Sequence, residues 1–104
     1  MKSVMMIGAA ALLSLTAVAN VHAGDPALGK TAYNTCISCH GAQGQGVPPT
    51  FPALKGKSAE EVVTLLKAYR ANEVDSPMAG LMVPNATGLS DDDINNLAAY
   101  IATF

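Results

Sequence analysis

Cys36-Ile37-Ser38-Cys39-His40 places two cysteines three residues apart, with a histidine directly after the second. On a helix, residues i and i+3 share a face with Cβ atoms roughly 5–6 Å apart. That spacing suits two thiols adding to two vinyl groups along one porphyrin edge. The histidine follows on the same turn, where its imidazole can reach the iron as proximal ligand. Other uses of a C-x-x-C pair fit less well. A thioredoxin-type dithiol needs a βαβ context, and the sequence has no such pattern. A structural zinc site needs four ligands, whereas the chain holds two cysteines and two histidines, one of them His22 near the N-terminus. A disulfide across three residues closes too small a loop to stabilise much. The pattern is that of covalent haem c attachment through Cys36 and Cys39.

Upstream, residues 1–23 read as a secretory signal peptide. Lys2 supplies the positive start, and Val4 to Val18 is an apolar run broken only by Gly8, Ser14 and Thr16. Val21 and Ala23 put small residues at the −3 and −1 positions of a cleavage site. The run is near the lower length limit for a membrane span, and no basic cluster follows it. Cleavage after Ala23, with no stable membrane insertion afterwards, is therefore expected. The remainder, residues 24–104, forms one domain of 81 residues. Without Lys2 it keeps five basic residues against eight acidic ones, a formal charge of −3. This balance excludes a nucleic-acid binder and offers no basic patch for an anionic membrane. A domain this small has a marginal core without a staple. Two cysteines cannot make a disulfide framework, so a large apolar cofactor would supply what the core lacks.

The elements expected around the motif are helices. Asp25-Pro26 starts the first, with aspartate as cap and proline at the first turn. Leu28, Ala32 and Tyr33 continue it into Cys36, and Gly29 within it suggests a close helix contact. Gly41 to Gly56 carries four glycines and three prolines, so it reads as a long loop along the proximal side of the cofactor, with Phe51 and Leu54 as apolar contacts. Ser58 to Glu61 is a capping box. Val62, Leu65, Leu66 and Tyr69 then form a helix stripe ending near Ala71. Residues 72–88 read as irregular, with Pro77, Gly80, Pro84 and Gly88 as breakers. Ser90 with Asp93 signals the last helix, and Leu89 can staple onto Ile94. Asp91, Asp92 and Asp93 suit its N-terminal dipole better than a metal. Ile94, Leu97, Ala98 and Ile101 form its buried stripe. No strand-like alternation runs for any length, so the fold class is all-α.

A low-spin haem needs a second axial ligand, and thioether sulfur is soft and favours ferrous iron. Residues 24–104 hold no second histidine, which leaves Met78, Met82 or an open position. Both methionines stand in the segment read as irregular, which argues against core filler for at least one of them.

With these residues assembled, the chain resembles a class I c-type cytochrome of the small bacterial periplasmic single-haem type, and one half of the two-haem relatives. The resemblance spans residues 24–104. It implies three main helices wrapped around one haem, with N- and C-terminal helices crossing at Gly29. Tyr33, Leu97 and Tyr100 would be partners at that crossing. It also implies that the Pro52 carbonyl accepts Nδ1–H of His40, that Leu54 packs on the haem, and that Met82 rather than Met78 completes the iron site. Met82-Val83-Pro84-Asn85 followed by Gly88-Leu89-Ser90-Asp91 carries that last match. The lysine-rich face of the mitochondrial members is missing, so docking on acidic partners is not implied.

The expected function is a periplasmic, monomeric electron carrier that exchanges one electron between a donor and an acceptor redox protein and turns over no substrate. Cys36 and Cys39 hold the haem, and His40 and Met82 ligate the iron. Two rival readings are a haem protein with a labile sixth position for gas or peroxide, and a dedicated electron-transfer subunit of a larger redox enzyme.

Overall fold

Asp25 caps the first helix, its carboxylate accepting the Ala27 N–H at 2.9 Å, and Pro26 opens the helix. The computed structural model describes residues 24–104, so the signal peptide expected over residues 1–23 lies outside the described residues. Helix α1 spans Pro26–Ala32. The single helix expected to run into Cys36 is broken: a 3₁₀ turn over Tyr33–Thr35 follows, then the one-turn α2, Ile37–His40. The tightening is visible in the Cys36 N–H, which bonds back three residues to the Tyr33 carbonyl at 2.8 Å.

Helix α3, Ala59–Arg70, begins with the complete Ser58/Glu61 capping box. Ser58 N–H reaches the Glu61 carboxylate at 2.9 Å while Glu61 N–H reaches Ser58 Oγ at 3.1 Å. It ends in a Schellman arrangement: Glu73 N–H bonds the Ala68 carbonyl and Asn72 N–H that of Tyr69, with Asn72 in the left-handed region at φ 57°. Helix α5, Asp91–Ile101, starts with the same device, Ser90 and Asp93 exchanging bonds of 2.9 and 3.0 Å. Arg70 ties the two helices together. It bonds Asp91 at 2.8 Å and the Leu89 carbonyl at 3.1 Å, and the guanidinium holds the Asp91 carboxyl below its usual range.

The segment 72–88 departs from expectation. Residues Ala79–Thr87 form a helix, α4, with Pro84 inside it. A proline there removes one hydrogen bond, that to Gly80, and the helix ends three residues later. Side-chain donors add to the flanking turns, Asn85 to the Leu81 carbonyl at 2.9 Å and Thr87 to that of Val83 at 2.7 Å.

α1 packs on α5, α5 on α3, and α3 on α4. Among the described residues there is no strand; one isolated bridge, Val47 with Phe51, closes the tip of the 41–56 loop. The core is small: Tyr33, Val62, Leu66, Ile94, Leu97, Ala98 and Ile101. Burying each of its larger aliphatic side chains stabilises the fold by about 1.5–3 kcal/mol. At the α1–α5 crossing a Cβ on Gly29 would overlap the Asn96 carbonyl oxygen, so only glycine fits. Asn96 also accepts the Asp25 N–H at 2.8 Å, fixing where the helices meet. Tyr33, Tyr100 and Phe104 stack edge-to-face beside it, with ring centroids 5.1–5.5 Å apart. Each such pair is worth about 0.5–1.5 kcal/mol beyond its buried area. Phe104 had no role in the sequence reading. Its aromatic ring four residues after Tyr100 was the available signal.

Candidate haem centre

Cys36 caps α2, and the α2 turn presents Cys36, Cys39 and His40 together, with His40 N–H bonded to the Cys36 carbonyl at 3.0 Å. The three are half-buried, while the intervening Ile37 and Ser38 are exposed. The two cysteines are not joined to each other in a disulfide. Burial raises the Cys36 thiol above its ordinary value, against a smaller lowering by the Thr35 hydroxyl.

His40 Nδ1 lies 2.9 Å from the Pro52 carbonyl oxygen. That oxygen can only accept, so Nδ1 carries the proton and Nε2 keeps a free lone pair. The loop fixes this partner from several sides. Gly46 N–H donates to the His40 carbonyl at 2.7 Å, and the Gly44 carbonyl accepts from Leu54 and Lys55 at 2.7 and 3.0 Å. Tyr33 Oη donates to the Gly41 carbonyl at 2.7 Å, anchoring the loop to the core. Burial, with smaller contributions from Cys36 and Tyr100, pushes the Tyr33 hydroxyl up to about 12.

These residues open onto a cavity of about 500 Å³, within the range of small-molecule and cofactor sites. Phe51, Leu54, Leu65, Leu66, Leu97 and Ile101 make its walls largely apolar. Helix α4 supplies another wall through Met78, Leu81, Met82 and Asn85, residues at i, i+3, i+4 and i+7. The two methionines therefore stand at one helix face, Met78 as its cap, and not in irregular chain. Their separation in burial is instructive. Met82 is half-buried against the core, whereas Met78 is 41% exposed. Cys36, Cys39, His40 and Met82 thus border one cavity, and Met78 borders it too. Among the described residues no group of three or more His, Cys, Asp or Glu side chains could hold a metal ion by itself.

A family model described as Cytochrome c matches residues 26–104. The chain belongs to the cytochrome c family. It is 46% identical over 81 residues to cytochrome c-554(548) of Halomonas halodenitrificans, covering 78% of this chain and 98% of that one. It is 47% identical over 92 residues to cytochrome c-554(547) of Halothiobacillus neapolitanus, with the same two shares covered. Among solved structures, a cytochrome c4 chain of Acidithiobacillus ferrooxidans matches with a TM-score of 0.70 at 23% identity, over 82% of this chain and 52% of that one. The present chain thus spans about half of that solved chain, and the likeness shows the shared fold. The small class I cytochrome c fold is the one expected from the sequence, and the cofactor is a covalently attached haem c. The chemistry of the cavity fits this group: an apolar enclosure, two cysteines on one helical turn, an imidazole with an available lone pair, and thioether sulfur on another wall.

Proposed function

We propose that this cytochrome c is an exported, periplasmic, single-haem electron carrier, with Cys36 and Cys39 as the thioether attachments and His40 and Met82 as the axial ligands. The observation that carries this reading is the convergence of all four side chains on one apolar cavity. Bound haem supplies the one-electron couple of its iron. The protein's part is to hold its own groups still. His40 is kept in one tautomer by the Pro52 carbonyl, which raises its basicity as a ligand. Met82 is held by α4 and by its packing on the core. The apolar walls exclude water and disfavour additional charge beside the iron. Among the described residues the cavity wall has no second histidine and no arginine, the side chains that would polarise a bound peroxide. This supports a carrier that exchanges electrons with donor and acceptor proteins over an enzyme.

Export is supported by the pattern of residues 1–23, and among the described residues no helix is long and apolar enough to cross a membrane. Intact mass together with absorption spectra of both redox states tests the proposal. The expected results are a chain beginning at Gly24, the added mass of one haem, and a low-spin ferric spectrum with the methionine-to-iron charge-transfer band. A high-spin ferric spectrum without that band contradicts the carrier reading.

A further inference from the structure

We infer that Gly46 is a positioning residue for the iron ligand: it braces both the backbone of His40 and the carbonyl that holds its ring. The inference rests on His40 being that ligand. Three observations converge on it. Gly46 N–H donates to the His40 carbonyl at 2.7 Å. Its backbone has φ +67°, a conformation that L side chains rarely adopt. A Cβ there would stand 2.6 Å from the Phe51 carbonyl oxygen, 2.7 Å from that of Pro52 and 2.8 Å from Ala53 N. All three are backbone atoms, so no flexible side chain can yield. The Pro52 oxygen is the acceptor for His40 Nδ1.

A methyl group at residue 46 therefore acts on the imidazole from two directions. It pushes the Pro52 carbonyl off the Nδ1–H and strains the residue that clasps the His40 backbone. A loosened Nδ1–H bond makes the ring a weaker donor. A weaker donor stabilises the ferric state less, so the midpoint potential moves upward.

The loop contains its own control. Gly56 also has positive φ, +93°, but a Cβ there meets nothing within 4 Å. Gly56→Ala imposes backbone strain without touching the His40–Pro52 pair. Gly46→Ala and Gly56→Ala should both lower stability, and only the first should alter the ligand.

The test is nitrogen-15 histidine NMR of the ferrous holoprotein, with redox titration of each variant. In Gly46→Ala the His40 Nδ1–H should exchange with solvent faster than in the unaltered protein, and the midpoint potential should rise. Gly56→Ala should match the unaltered protein in both. If the two variants behave alike in exchange and in potential, the positioning role is overturned. Where Gly46→Ala does not mature, the unaltered protein gives the answer. The Gly46 amide and the His40 Nδ1–H should exchange through one shared opening, and a freely exchanging Gly46 amide beside a protected ring proton overturns the inference. An unaltered protein with no iron-bound imidazole signal instead removes His40 as ligand, an outcome distinct from either.

Discussion

The α1–α5 crossing and the α3–α4 side of the molecule are built on different terms. At the crossing, amino acids alone complete the packing: Gly29 lies against the Asn96 carbonyl, Tyr33 is 1% exposed, and three aromatic rings close on one another. On the α3–α4 side the apolar stripes are left open. Leu65 is 38% and Leu81 55% exposed, both bordering the cavity. Large apolar side chains gathered around a concavity mark a ligand-binding surface. The crossing is a protein core, whereas the cavity walls are a half-core that the proposed haem site would complete.

The harshest way to break this comparison is to withhold the haem. A Cys36→Ala/Cys39→Ala double variant should retain no haem under denaturing electrophoresis. Its α4 amides should lose hydrogen-exchange protection, because α4 buries just Ala79 and Ala86 against protein. Protected α4 amides in the haem-free chain would show the wall to be self-sufficient.

Overpacking the other region should do the reverse. Gly29→Leu forces side-chain atoms into the Asn96 backbone and should cost about 3 kcal/mol in denaturant unfolding of the holoprotein. The haem spectrum should stay unchanged, since no cavity residue is touched. An altered spectrum at unchanged stability would mean that the two regions are not separable in this way.

Tyr33→Phe sharpens the boundary between them, because Tyr33 belongs to the crossing while its hydroxyl anchors the ligand loop at Gly41. Loss of that buried hydrogen bond should cost about 1 kcal/mol. Its pH dependence has a defined sign. The folded-state value, about 12, lies above the ordinary 10.0. The contribution is therefore fully present below pH 10 and is lost as pH rises toward 12. The stability gap between the natural protein and Tyr33→Phe should be flat through neutral pH and change only in that alkaline window. A change below pH 9 would count against the assignment.

How much of this was legible in the chain depends on what kind of signal each element carries. Capping residues and helix stripes are local, so α3 and α5 were read with their caps, and Ile94, Leu97, Ala98 and Ile101 are the residues buried in α5. A glycine inside a helix pattern signals close approach, so Gly29 is legible locally, whereas the helix it meets and the His40–Pro52 bond come only with the family resemblance, because carbonyl orientation leaves no local pattern. Helix α4 lies in a segment that reads as irregular, because Pro77, Gly80, Pro84 and Gly88 are each breakers taken singly. Met78, Leu81, Met82 and Asn85 have helical spacing, yet that face borders the cavity and has no apolar helix stripe to announce it. Gly46 looked like one glycine among several in a loop. Its part depends on backbone atoms of Phe51, Pro52 and Ala53, which only the folded chain brings to it.

The central claim, that α2 and α4 provide the two axial ligands from residues His40 and Met82, is tested most directly by the ferric absorption spectra of Met82→Ala and Met78→Ala. Met82→Ala should lose the methionine-to-iron charge-transfer band and shift to a lower midpoint potential, while Met78→Ala keeps the band and nearly the same potential. Loss of the band in Met78→Ala, with Met82→Ala unaffected, would contradict the account.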